Sequence, residues 1–209
     1  MFSKLQYISQ GDTIYKQIRN IHHALDLGCD WIQLRFKTGN NHQLLDLAEA
    51  AKLLCDTYSA TYIINDNPYL CQKVDADGVH LGLTDMSIKE ARDILDEYKI
   101  IGGTANTYED IVSRFEENCD YIGLGPYKFT TTKQNLSPIL GLEGYHTILQ
   151  RLKEENIQIP VYAIGGIQIE DVKDLMKTGI QGIAVSSLIT HQIQEKNYSQ
   201  LNTTLYVNS

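Results

Sequence analysis

The chain has 209 residues, enough for one sizeable core, and its 43% hydrophobic and 21% charged residues fit an ordinary globular protein. Its formal net charge of −8 disfavours nonspecific binding to nucleic acid or anionic membranes, so any anion it takes must be met by local positive charge or by a metal. Cys29, Cys55, Cys71 and Cys119 show no Cys-x-x-Cys pair, and no stretch approaches the roughly 20 apolar residues of a membrane span, which predicts a soluble cytoplasmic protein with free buried thiols.

Short apolar runs alternate with amphipathic stretches along the chain. The first run, 5–9, precedes a helical pattern over 13–27 in which Ile14, Ile18, Ile21 and Leu25 share a face. Run 31–36 follows, then a helix over 42–55 built on Leu44, Leu45, Leu47, Ala48, Ala51 and Leu54. Runs 61–65 and 78–82 come next, and Ser87-Ile88-Lys89-Glu90 reads as a capping box opening a helix. Runs 100–104, 121–125, 161–165 and 182–186 complete the set. Between the last two, Ile169, Val172, Leu175 and Met176 predict a helix over 169–177 that stops at Gly179. The runs are short and apolar, as buried parallel strands are. Their alternation with helices predicts βαβ units, and eight of them in so short a chain predict one domain, residues 1–209, folded as a closed (β/α)8 TIM barrel. A doubly wound open sheet is the runner-up, but no G-x-G-x-x-G follows an early strand.

A barrel places its chemistry at the C-terminal ends of the strands, and the polar residues fall there run after run. Gln33, Arg35 and Lys37 alternate through the second run and therefore point to one side. Asn65 and Asp66 end the third, and Asp85 follows the fourth, which carries His80. Thr104 ends the fifth, and Thr130, Thr131, Thr132 and Lys133 follow the sixth. Gly165-Gly166 and Ser186-Ser187 end the last two, where barrels often bind phosphate through backbone N–H groups. Ser186 and Ser187 would act at the start of the final helix. Asp66 and Asp85 end neighbouring strands and could share one Mg²⁺, with Arg35, Lys37 and Lys133 neutralising the phosphate charge that remains. Taken singly, each acid reads as a turn or cap residue; two acids facing three bases at one mouth do not. His80 reads first as a satisfied core histidine, with ligand contact the lesser alternative. His22, His23, His42, His146 and His191 share no pattern and read as surface residues, and no nucleophile stands beside a base.

Six segments together resemble the thiamine phosphate synthase family: Gln33-Leu34-Arg35-Phe36-Lys37; Ile64-Asn65-Asp66; residues 76–82 with Asp85; Gly103-Thr104; Gly125-Pro126 through Thr130-x-Thr132-Lys133; and residues 163–167 with Ser186-Ser187. The resemblance implies a TIM barrel that joins hydroxymethylpyrimidine diphosphate to a thiazole phosphate or its carboxylate, giving thiamine phosphate and pyrophosphate with Mg²⁺. Carried over by motif, Gln33, Leu34, Arg35, Phe36, Lys37, Asn65, Thr104 and Lys133 would bind the pyrimidine diphosphate, with Lys133, Arg35 and Thr104 catalytic. Asp66 and Asp85 would hold Mg²⁺. Thr130, Thr131, Thr132, Gly166, Ser186 and Ser187 would bind the thiazole phosphate. These small molecules are the expected partners, with no nucleic acid and no membrane; homo-oligomerisation is left open. The chain departs from the family's usual motifs at Phe36 (usually Glu), Asn67 (usually Arg) and Phe129 (usually Pro), and Thr104 replaces a serine while keeping its hydroxyl. A thiazole tautomerase shares the barrel and the thiazole phosphate site but needs no paired acids for a diphosphate, so Asp66, Asp85, Arg35, Lys37 and Lys133 favour the synthase. A silent thiazole-phosphate binder or another sugar-phosphate barrel enzyme are the remaining alternatives.

Overall fold

The computed structural model describes residues 2–130, 138–192 and 195–207. Among them, eight parallel strands close into a barrel in chain order: β1 (Leu5–Ile8), β2 (Trp31–Leu34), β3 (Thr61–Asn65), β4 (Gly78–Leu81), β5 (Ile100–Ala105), β6 (Tyr121–Leu124), β7 (Val161–Ile164) and β8 (Gly182–Val185). The ring shuts where Leu5, Gln6 and Tyr7 of β1 pair with Ile183, Ala184 and Val185 of β8. The helices are α1 (Ile14–Asp26), α2 (Asn41–Thr57), α3 (Pro68–Lys73), α4 (Ile88–Ile94), α5 (Tyr108–Glu116), α6 (Gly141–Glu154), α7 (Val172–Lys177) and α8 (Glu195–Val207).

Local chemistry starts several of these helices. The Thr13 side chain accepts from Lys16 N ahead of α1. Ser87 and Glu90 form the expected capping box: Glu90 N donates to Ser87 Oγ at 3.2 Å and Ser87 N donates to Glu90 Oε2 at 3.1 Å. The predicted helix over 169–177 is instead a 3₁₀ turn, Ile169–Asp171, leading into α7. There Asp171 Oδ2 accepts from Gln168 N at 2.9 Å and holds the turn tight. Most strands stop one residue before their predicted ends, β2 two before, because those last residues already bend toward the loops above the barrel.

The core has two layers. Outside the sheet, Ile32, Leu34, Ile64 and Val79 pack against Ile21, Leu47, Ala51 and Ile111 of the helices. Inside the barrel, Trp31, Ile63, Tyr121 and Tyr162 form a floor, with Trp31 lying edge-on to both tyrosines at 4.9 Å between ring centroids. Phe2 stacks on Trp31 from below at 5.4 Å, filling the N-terminal end of the barrel. All four cysteines are buried, and burial pushes the Cys29 thiol up to about 12, so it is unreactive at neutral pH.

One glycine makes room for this floor. A Cβ on Gly102 would stand 2.2 Å from Tyr121 Cζ. Gly102→Ala is therefore expected to destabilise the protein by about 2–3 kcal/mol, the usual cost of overpacking. Thermal unfolding should show Tm lowered by roughly 5–10 °C; an unchanged Tm would mean that the ring moves aside freely.

Candidate active site at the barrel mouth

The C-terminal ends of the strands open into a cavity of about 480 Å³. From β2, Gln33, Arg35 and Lys37 line it. The strand ladder ends at Leu34, yet the alternation continues because Ser9 N donates to Gln33 O at 2.8 Å and Arg35 N donates to Ser9 Oγ at 2.9 Å. Leu34 and Phe36, assigned by motif to the pyrimidine diphosphate, do not line this cavity. They lie on the outer face of the pleat, where burial against the helices stabilises apolar side chains. The Phe36 ring occupies the space where Gly39 has no side chain; a Cβ there would meet Phe36 Cε1 at 2.2 Å.

Asn65 and Asp66 carry β3 into the mouth. Asp66 adopts a left-handed backbone, φ 67°, which aspartate tolerates better than most residues, and its N–H donates to His80 O at 2.8 Å. The next residue, Asn67, uses its side chain locally: Oδ1 accepts from Leu70 N at 3.0 Å, and Pro68 takes the first position of α3. The Asp66 carboxylate forms an ion pair with Lys37 Nζ. It also faces Asp85, whose Oδ2 accepts from Gly82 N at 2.7 Å and is thereby folded back over the end of β4. Partial withdrawal from water, then the hydrogen bond and repulsion from Asp66, raise the Asp85 pKa.

Two carboxylates held against their mutual repulsion form an oxygen-only donor pair, and a hard divalent cation would relieve that repulsion. Among the described residues no group of three or more His, Cys, Asp or Glu is placed to hold a metal. A pair of acids suits Mg²⁺, which is commonly held by one or two carboxylates and completed by substrate phosphates.

Thr104 ends the β5 contribution, and its Oγ1 lies 3.1 Å from His80 Nε2. His80 is both buried and part of the cavity wall, so the core and ligand-facing readings hold together. Across the mouth, Gly165 and Gly166 turn with φ 96° and 70°. The segment after β6 lies directly on them: Tyr127 N donates to Ile164 O at 2.8 Å and Lys128 N donates to Gly165 O at 2.9 Å. Lys128 Nζ pairs with Asp171 Oδ1 at 2.6 Å and straps this segment down. Thr130 and Ser186 and Ser187 line the same cavity. Thr131, Thr132 and Lys133 lie outside the described residues. After β8, Ser186 O accepts from Ile189 N and Thr190 N and the chain runs into a short π-type turn, Leu188–Gln192, so Ser186 and Ser187 do not open the final helix as expected; α8 starts later.

Several neighbours at the mouth carried too little signal to be found by motif. Asn106, two residues past Thr104, reaches the Gly125 carbonyl from the cavity wall. Gln6 was the polar exception in an apolar run, and Lys128 and Asp171 look like ordinary surface charges in the sequence. His22, His23, His42, His146 and His191 are exposed, as expected. Among the described residues no helix is long and apolar enough to cross a membrane.

The family model described as thiamine monophosphate synthase matches residues 6–189. The chain is 62% identical over 205 residues to the thiamine-phosphate synthase of Flavobacterium psychrophilum, across 98% of each protein. It is 60% identical over 209 residues to that of Flavobacterium johnsoniae, across 100% of this chain and 99% of that one. The solved thiamine phosphate pyrophosphorylase from Pyrococcus furiosus matches with a TM-score of 0.82 at 30% identity, covering 97% of this chain and 95% of that one. These likenesses run nearly end to end through a barrel whose mouth pairs two acids with bases on one wall and sets two glycines and two serines on the other, and the chain belongs to the thiamine-phosphate synthase family of transferases.

Proposed function

We propose that the mouth binds a pyrimidine diphosphate on the β2–β5 wall and a thiazole phosphate on the β6–β8 wall, and transfers the pyrimidinylmethyl group from one to the other. The observation that carries this reading is the contact between Asp66 and Asp85 within reach of Lys37, facing the Gly165-Gly166 and Ser186-Ser187 wall across one cavity. Gln33, Arg35, Lys37, Asn65 and Thr104 orient the pyrimidine diphosphate. Leu34 and Phe36 contribute only by holding that strand end in place. Gly166, Ser186, Ser187 and Thr130 take the thiazole phosphate through backbone and hydroxyl donors. Thr131, Thr132 and Lys133 follow Thr130 directly and carry the donors expected for the space between the substrates.

Asp66 and Asp85 would hold Mg²⁺, which supplies charge neutralisation of the departing pyrophosphate. In the transfer the methylene C–O bond breaks, and pyrophosphate leaves with the electron pair. The thiazole nitrogen lone pair forms the new C–N bond. No proton moves in that step, so charged donors are chemically sufficient and no general base is required. The ring amino group of the pyrimidine stabilises the positive charge that develops on the methylene carbon. Arg35 and Lys37 stabilise the negative charge on the leaving group. The two walls hold nucleophile and electrophile together, which supplies much of the rate.

Purified protein mixed with hydroxymethylpyrimidine diphosphate, thiazole phosphate and Mg²⁺ is expected to release thiamine phosphate and pyrophosphate in equal amounts. EDTA should abolish the reaction, and excess Mg²⁺ should restore it. Turnover that is indifferent to EDTA would overturn the metal assignment. Binding of thiazole phosphate with no product would overturn the transfer itself.

A further inference from the structure

Between the aromatic floor and the mouth, five side chains form a line of hydrogen bonds. Gln33 Nε2 donates to Gln6 Oε1 at 3.1 Å, and Gln6 Nε2 donates to Tyr121 Oη at 3.1 Å. Tyr121 Oη lies 3.1 Å from His80 Nδ1, and His80 Nε2 lies 3.1 Å from Thr104 Oγ1. Gln33, Gln6 and Tyr121 are 2%, 1% and 1% exposed and His80 is 6% exposed, whereas Thr104 is half-buried at the cavity wall. Two strand glycines clear the path. A Cβ on Gly102 would strike the Tyr121 ring, and one on Gly123 would press on His80 Cε1 at 3.1 Å.

The line has a direction. A phenol carries one proton, and Tyr121 Oη already receives the Gln6 amide proton. The phenol's own proton needs an acceptor, and among the described partners of Tyr121 Oη the two glutamines act as donors, so the O–H is given to His80 Nδ1. Complete burial pushes the Tyr121 pKa up, so the phenol keeps its proton. With Nδ1 accepting, the neutral tautomer of His80 is the one that carries its proton on Nε2 and donates it to Thr104 Oγ1. With that oxygen accepting, the Thr104 hydroxyl proton is directed into the cavity, toward an anionic oxygen of the substrate.

We propose that Tyr121 is a positioning residue for the transfer: it sets the His80 tautomer and through it aims the Thr104 hydroxyl at the diphosphate end of the pyrimidine substrate. The identity of that substrate rests on the function proposed above, but the tautomer does not.

Long-range ¹H–¹⁵N correlation spectra of uniformly labelled protein will report the tautomer, with the His80 signals identified by their loss in His80→Asn. The expected result is a neutral His80 protonated on Nε2 in the wild type, and a changed tautomer ratio in Tyr121→Phe. In turnover, Tyr121→Phe is expected to lower kcat/KM for pyrimidine diphosphate roughly tenfold, on the scale of one hydrogen bond, without changing KM for thiazole phosphate. Thr104→Val should lose a similar factor, and Tyr121→Phe added to Thr104→Val should lose less than about twofold more, because both act on one group. His80 protonated on Nδ1 in the wild type would overturn the proposal. So would losses that multiply in the double variant, which is the behaviour of a packing defect. The wild-type spectrum, assigned through His80→Asn, decides the tautomer even if Tyr121→Phe fails to fold. Nε2 protonation in a wild type that makes no thiamine phosphate would count against the functional reading and leave the line of hydrogen bonds standing.

Discussion

Asp85→Asn is expected to lower kcat/KM by roughly a hundredfold or more, at or above the upper end of what weakening a metal site costs. The fold should not change. Asp85 is exposed at the rim of the mouth, and an asparagine Oδ1 can still accept from Gly82 N, so the turn after β4 keeps its hydrogen bond. What disappears is one negative charge from a pair held in contact with Asp66. Removing it also relieves repulsion, so stability should stay within about ±0.5 kcal/mol of the parent, the usual range for a surface change. The loss should appear as a higher Mg²⁺ requirement together with a lower maximal rate. Thermal unfolding alongside a Mg²⁺ titration of activity separates the two quantities. Parent-like activity at low Mg²⁺ would remove Asp85 from the metal pair.

Gly166→Val should act on the other wall. Gly166 has φ 70°, in the left-handed region where a β-branched residue is strained by about 1–3 kcal/mol. A Cβ there would also meet Phe129 O at 2.6 Å and Lys128 Cβ at 2.9 Å. The first of these is backbone and cannot rotate away. Either the glycine turn or the segment held by Lys128 and Asp171 must move. The expected result is a KM for thiazole phosphate raised by roughly tenfold to a hundredfold, at about 1.4 kcal/mol per factor of ten. KM for pyrimidine diphosphate should change by less than about threefold, because Asp66, Asp85 and Lys37 lie on the opposite wall. Steady-state kinetics with each substrate varied in turn will read the difference. Equal rises for both substrates would place the thiazole phosphate somewhere other than Gly166.

Much of the architecture was legible in the chain because it depends on local pattern. Short apolar runs, the helical spacing of Ile14, Ile18, Ile21 and Leu25, and the Ser87–Glu90 box are properties of a few adjacent residues. So is the placement of polar residues at the strand ends, which located the mouth before any geometry was known. Strand boundaries were less legible. Residues such as Phe36 and Gly82 read as strand from their composition but lie beyond the last ladder hydrogen bond.

Motif matching assigned Gln33 through Lys37 to the substrate as one block, but the pleat divides that block. Gln33, Arg35 and Lys37 face the cavity, while Leu34 and Phe36 are covered by helices. Asn67, which stands where the family usually has Arg, is the cap of α3. Other features depended on ring closure. Gln6 and Tyr121 are 115 residues apart and meet only because both side chains point into the same barrel interior. Lys128 and Asp171, 43 residues apart, meet because the loops after β6 and β7 are neighbours at the rim. The sequence by itself determined the order of elements, the barrel and the wall on which each polar group stands, since those follow from side-chain periodicity and backbone propensity. Only the tertiary structure decided which groups touch, because contact across a barrel is set by the register and interior volume of all eight strands together, and no short stretch of residues encodes that.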